Sequence, residues 1–337
     1  MGALALLGLL SGALLLAAFD NDDPSTEDAE TESDAVDEDI MSVTDGDSIS
    51  TAAGNDTVTA LGDDVTVSTD AGDDSIRLEG EDGVASGGVG NDTLVATSTA
   101  TLLGDDGDDI MLLVQDGFAD GGQGNDSISA FAYEDASAET TLLGGEGDDT
   151  LQSTTNSLLT ERGAVTLDGG VGDDRLFIGA NATGLGGDGN DQLTVSIDGV
   201  ADGGMGDDTL ISRSYSDEIA AEDGISTLTG GEGFDTFEIY LSDFEEETIR
   251  DVIRITDFDP DEDVIVLDNS ETGDGFTFGS YGFFDGIEIV PSDDGSYTEV
   301  RVTLDNGPFI DDTVSVIRLD GVPNLTEDQI IIQGTLR

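Results

Sequence analysis

The 337-residue chain has no Cys, no His, no Lys and no Trp. Without Cys there are no disulfides and no thiolate metal sites, and cysteine usage does not report the redox compartment. The missing His removes the commonest general base, the commonest transition-metal ligand and the zinc-protease helix motif together. Schiff-base and Ser-Lys chemistry go with Lys. Positive charge is scarce as well: nine Arg stand against 77 Asp and Glu, a formal net charge of -68. Nucleic acid and anionic membrane surfaces are therefore repelled. Such a charge density opposes compaction unless cations sit among the carboxylates or salt screens them. Pro is confined to Pro24, Pro260, Pro291, Pro308 and Pro323, so the long stretch from Gly46 to Phe237 has none. A continuous hydrogen-bonded ladder makes that demand, because Pro has no N–H to donate.

Within that stretch one pattern keeps returning. Gly203-Gly204-Met205-Gly206-Asp207-Asp208-Thr209-Leu210 has the form Gly-Gly-x-Gly-[Asn/Asp]-Asp-x-apolar, repeated from Gly87, Gly121, Gly144, Gly169 and Gly186. In the copy from Gly230, Phe234 takes the Asn/Asp place; looser copies begin at Thr51, Thr69 and Gly104. The sixth-position aspartates are Asp56, Asp74, Asp92, Asp109, Asp126, Asp149, Asp174, Asp191, Asp208 and Asp235, at steps of 18, 18, 17, 17, 23, 25, 17, 17 and 27. Self-similarity at such a period is the signature of a solenoid.

The stretch resembles the glycine- and aspartate-rich nonapeptide of the RTX family, Ca²⁺-binding parallel β-rolls of bacterial proteins exported by type I secretion. The resemblance implies an all-β fold, a parallel β-roll solenoid, with Ca²⁺ as its ion. The ten sixth-position aspartates are the expected ligands, and backbone carbonyls of Gly87, Gly121, Gly144, Gly169, Gly186, Gly203 and Gly230 are expected to join them. Ca²⁺ takes six to eight oxygens, and Gly turns its carbonyl inward at φ values other residues avoid. The Asn or Asp before each ligand, such as Asn91, Asp148 or Asp207, is expected to shape the turn. The family array places one motif every nine residues on both sides of the roll; here only every second turn carries the full motif. The intervening turns, at Glu81-Asp82-Gly83, Asp116-Gly117 and Asp198-Gly199, are plain.

Each coil then reads as ion-binding turn, short strand, plain turn, short strand. Val65 with Val67, Ile76 with Leu78, Leu94 with Ala96 and Leu193 with Val195 alternate as one strand face turned to a thin core should. Inserts around Ala130–Thr140, Ser153–Gly163 and Arg213–Gly224 are expected opposite the ion-binding turns.

Four regions follow from these features. Residues 1–19 carry no charge and reach roughly 28 Å as a helix, enough to span a membrane, so they are either an anchor or a signal segment. Residues 20–45 are acidic and small, and are expected to be a disordered spacer. Residues 46–237 are the Ca²⁺-binding roll. Residues 238–337 are expected to form a separate β-rich cap holding the secretion region: nine of thirteen Phe lie at or after Phe234, and five strand-like runs follow. Its Ile255-Thr256-Asp257-Phe258 with Asp263-Val264-Ile265-Val266-Leu267 is similar to the stretch that closes many RTX proteins. In that family this part caps the roll and carries the export signal.

The functional expectation is a secreted or surface-anchored Ca²⁺-binding protein, structural or adhesive, whose folding is coupled to Ca²⁺. An extracellular polysaccharide-active enzyme on the same scaffold is the alternative. No carboxylate pair stands out for it, and a spacer rather than a catalytic domain precedes the repeats. Contact with a cell surface or polysaccharide would fall to the inserts or to Phe276, Phe278, Tyr281, Phe283 and Phe284, rings that equally suit the core of a cap. No regular Thr-x-Thr face is evident in the sequence.

Overall fold

A computed structural model describes residues 37–42, 44–132, 139–155, 164–196, 198–213, 225–241, 249–268, 283–305, 313–323 and 325–333. Residues 1–19, the greater part of 20–45, the centres of the three inserts and Phe276, Phe278 and Tyr281 lie outside them. Contacts divide the chain into Met1–Ser33 and Asp34–Arg337. Among the described residues no helix is long and apolar enough to cross a membrane.

The described chain is almost all β. As far as Val264–Asp268 successive strands alternate between two sheets, so that each full coil adds one strand to each. The first sheet begins with Asp39–Ser42 and has 13 strands; the second begins with Ser48–Ser50 and has 14. Pairing along the roll is parallel and in register: Ile76 stands beside Leu94, Leu94 beside Met111, and Leu193 beside Leu210. Because side chains alternate across a strand, an unbroken register stacks inward residues into files. One file runs Val58, Ile76, Leu94, Met111, Ile128, Leu151, Leu176, Leu193, Leu210, Phe237 and Ile265, all at 0–1% exposure. Each such side chain contributes about 1.5–3 kcal/mol by leaving water. Val65, Val67, Leu78, Ala96 and Val195 are buried as the alternation predicts. Where the facing file carries only Gly184, Ile178 lies in the space that a Cβ would need.

Two expectations are corrected here. The roll begins before Gly46, because strand Asp39–Ser42 pairs with Thr57–Ala60, and Asp37 and Glu38 already hydrogen-bond to the next coil. Acidic composition conceals this: Asp37, though exposed, is used as a rung. Nor is the C-terminal part a separate unit. Ile249–Ile255 and Thr313–Asp320 extend the second sheet, while Val264–Asp268 and Ile330–Gln333 extend the first. The texture changes because the last strands of the second sheet turn antiparallel, Thr313–Asp320 against Tyr297–Asp305 and that against Phe283–Pro291. All five expected strands are present, and Phe283–Pro291 is an additional one.

Candidate metal row

Every connection from the second sheet to the first as far as Thr236–Tyr240 carries the glycine-aspartate motif or a looser copy of it. The inserts follow strands Ser127–Ala132, Thr150–Thr155 and Thr209–Arg213 of the first sheet, on the way back to the second. The motif turns therefore stack along one edge. The second Gly of each copy takes positive φ, as at Gly122 (104°) and Gly204 (111°). Asp105, standing in that place, adopts φ 75°, a conformation that a side chain makes costly. The third glycines stack so tightly that a Cβ on Gly206 would fall within 3.0 Å of the Gly189 carbonyl.

The ten sixth-position aspartates form one inner ladder. The backbone N–H of Asp74 donates to Oδ1 of Asp92, that of Asp92 to Asp109, and so on to Asp208 and Asp235, at 2.7–2.9 Å. The preceding residues form an outer ladder on the exposed side. There the N–H of Asp173 donates to Oδ1 of Asp148, and that of Asn190 to Asp173. Adjacent amides thus point opposite ways, Asp173 back one coil and Asp174 forward one coil. The Asn/Asp position holds the following coil through its Oδ1.

One oxygen of each inner aspartate is left over. Oδ2 of Asp56, Asp74, Asp92, Asp109, Asp126, Asp149, Asp174, Asp191, Asp208 and Asp235 is buried and accepts no hydrogen bond, and these residues are 1–3% exposed. In the eight from Asp92 to Asp235 desolvation raises the carboxyl above its ordinary value. It pushes Asp109, Asp174 and Asp208 up to about 7, and Asp92, Asp126, Asp149, Asp191 and Asp235 to about 6, against an ordinary 3.8. The N–H bond to Oδ1 opposes that rise, and neighbouring aspartates add to it. A buried carboxylate without a partner is expensive, so each of these oxygens calls for a cation or a proton.

The surroundings fit a hard, oxygen-seeking cation. A Cβ on Gly121 would fall within 3.0 Å of both Asp126 Oδ2 and the carbonyl oxygen of Gly144 in the next coil. The same holds for Gly144, Gly169, Gly186 and Gly203 with the leading Gly of the coil that follows each. A carboxylate oxygen from one coil and a carbonyl from the next therefore border one small space, kept open because the leading residue has no side chain. Among the described residues no three acidic side chains converge on one point. Further ligands would be carbonyl oxygens, such as those of the leading glycines, or water, and a donor set of oxygens alone suits Ca²⁺.

The row ends in residues that the repeat pattern does not reveal. Asp235 N–H donates to Oδ1 of Asp263, whose Oδ2 accepts from Asp259 N–H, so Asp263 carries no orphaned oxygen. Asp257 accepts the N–H groups of Gly230 and Gly231 through its two oxygens. Phe258 packs on Phe237 with ring centroids 6.0 Å apart. Only the Asp-Phe…Asp spacing after the last motif signals this closure. A second feature escaped the sequence: on the outer face of the second sheet Thr101, Phe118, Thr141, Thr166, Thr183, Val200 and Thr227 fall in one register row. Of the aromatic candidates with a described side chain, Phe284 is buried in the core.

The RTX calcium-binding nonapeptide repeat family matches in four copies, at residues 50–85, 140–154, 152–182 and 202–237. The matched segments omit Asp92, Asp109, Asp126 and Asp191, which stand in the same ladder. No curated protein sequence matches the chain. Among solved structures, the AlgE6R3 subunit of the Azotobacter vinelandii mannuronan C5-epimerase is 26% identical, covers 50% of this chain and 77% of its own, and has a TM-score of 0.27. The AlgE6R2 subunit of the same enzyme is 24% identical over 59% of this chain and 94% of its own, with a TM-score of 0.22. The extracellular lipase LipA of Serratia marcescens is 16% identical over 84% of this chain and 45% of its own, at a TM-score of 0.19.

Proposed function

The chain carries RTX repeats, which bind Ca²⁺, and from that premise we propose that the inner aspartate row is where the ions sit and that ion binding and folding are one equilibrium. The file of buried, unpartnered Oδ2 atoms carries this reading. Each aspartate from Asp92 to Asp235 supplies one carboxylate oxygen. Gly121, Gly144, Gly169, Gly186, Gly203 and Gly230 supply carbonyls to the space of the coil before each. Bound Ca²⁺ supplies the charge compensation that the row otherwise lacks. The chain's own part is to hold each carboxylate in one orientation through the N–H bond to Oδ1, and to keep water out by stacking.

Such a protein is a secreted or surface-anchored scaffold, structural or adhesive, and not an enzyme. The ladder acids are buried inside turns, out of reach of a substrate. Contact with a surface or polysaccharide is assigned to the outer sheet faces, where Ile110 and Phe177 of the first sheet and Val200 of the second are exposed, Val200 in line with Thr183 and Thr227. Residues 1–19 are proposed as anchor or signal, and 238–337 as the secretion region as well as the closure of the roll. Low cytosolic Ca²⁺ would leave the chain threadable, and higher Ca²⁺ outside would fold it.

Circular dichroism of the full chain, titrated with Ca²⁺ and with Mg²⁺ after chelation, tests the central statement. A cooperative gain of β signal with Ca²⁺ is expected, and a much weaker one with Mg²⁺. A chelated sample that keeps its full β signal at low ionic strength would sink it.

A further inference from the structure

The motif copies in the first two coils differ from the rest at their leading position. Thr51 and Thr69 stand there instead of Gly, and both are buried. In the later coils a Cβ at this position would fall within 3.0 Å of the Asp Oδ2 that borders the open space, at Gly87 against Asp92 and at Gly121 against Asp126. Thr brings that Cβ and two more heavy atoms. Its hydroxyl also has a defined partner: Thr69 Oγ1 donates to the carbonyl oxygen of Gly87 at 2.5 Å, with the Ser86 carbonyl at 3.3 Å. Gly87 is the leading residue of the following coil. Its carbonyl is the counterpart of those at Gly121 to Gly230 that face the carboxylate in later coils.

We infer that Thr69 plugs the ion space of its coil, that Thr51 does the same in the coil before it, and that the Ca²⁺ row begins at Asp92 rather than at Asp56. This rests on the reading of the inner aspartates as ligands and limits it. Asp56 and Asp74 keep a structural task, because Oδ1 of each accepts an N–H from the preceding coil, Glu38 for Asp56 and Asp56 for Asp74. In these coils side-chain atoms take the space, through the hydroxyl contact at Thr69 and through bulk alone at Thr51, whose Oγ1 has no partner, and Oδ2 of Asp56 and of Asp74 likewise accepts no hydrogen bond. The hydroxyl stands where an ion would, and the Gly87 carbonyl, already satisfied, is withdrawn from coordination.

Ca²⁺ stoichiometry of the full chain, measured by equilibrium dialysis and calorimetry, tests this with four variants. Asp126→Asn should lose at least one ion while keeping the ladder, since the amide oxygen can still accept. Asp74→Asn should leave the count unchanged, as should Thr69→Val, which keeps the bulk without the hydroxyl. Thr69→Gly should add one ion. If Asp126→Asn loses an ion and Asp74→Asn does too, the Asp74 carboxylate is a ligand; if Thr69→Val does, the hydroxyl is one; either result overturns the plug. A Thr69→Gly chain that folds with the wild-type count overturns it too, and if that variant does not fold, Asp74→Asn and Thr69→Val decide alone. If Asp126→Asn loses nothing, the ligand reading itself fails, a result distinct from the others.

Discussion

The backbone N–H of Asp235 meets Oδ1 of Asp263 at 3.0 Å, and with that bond the inner ladder closes. Every earlier rung leaves a carboxylate oxygen exposed to nothing, whereas Asp263 gives its second oxygen to Asp259 N–H. Replacing Asp263 by Ala strands the buried Asp235 N–H, which should cost about 1–3 kcal/mol, and frees the more exposed Asp259 N–H at a smaller cost. Asp263→Asn should cost less. Thermal melts in saturating Ca²⁺ would show the order, and equal melting temperatures for wild type and the Ala variant would contradict it.

Chelation should unfold the roll at about pH 8 and low ionic strength, because the eight strongly shifted carboxylates then have no ion and are largely deprotonated. High concentrations of a monovalent salt should restore part of the β signal by screening the outer acids, but not the buried ones. Dichroism with and without salt separates the two contributions.

The pH dependence follows from the same groups. Their folded values of about 6 to 7 lie above 3.8, so the folded chain binds more protons than the unfolded one across that window. Without metal, stability should therefore rise as pH falls from about 7 toward about 4, each titration unit being worth about 1.4 kcal/mol per group as an upper bound. With Ca²⁺ the sign reverses: protons compete with the ion, and apparent affinity should weaken as pH drops below about 7. Melting the chelated and the loaded chain at several pH values would reveal opposite slopes, and parallel slopes would contradict both.

Substitution of the stacked glycines should be severe. Gly206→Ala forces a Cβ into the Gly189 carbonyl at φ 127°, so a loss of roughly 4 kcal/mol or more is expected. Gly286→Ala, with nothing within 4 Å, should shift stability by about 0.5 kcal/mol or less. Denaturant melts of the two variants make the comparison.

The parts of this architecture that repeat were legible from residues alone. Gly-x-Gly turns, the aspartate at a fixed offset, the absence of Pro and the alternation at Ile76 and Leu78 all state one local rule many times over. Features that occur once, or that depend on which coil lies beside which, were not. Asp263 stands 28 residues after Asp235 without leading glycines, so the repeat pattern does not mark it as a rung, and only the Asp-Phe…Asp spacing points to it. Asp37 looks like one more acid in an acidic run until Asn55 N–H is found upon it. The Thr row needs partners 17 to 27 residues apart brought into register, and unequal inserts hide that period. Thr51 and Thr69 read as imperfect copies; only their burial and the Gly87 contact reveal a specific role.

The opposed directions of neighbouring amides, Asp173 backward and Asp174 forward, make each coil present the same two faces to whatever lies above and below it. A whole turn of 17 residues, such as Asp174 to Asn190, could be excised or duplicated and the surfaces brought together would still mate. Length is thus a quantity that a lineage can change in whole steps, while any change of fewer residues has to be absorbed at the edge where the inserts lie.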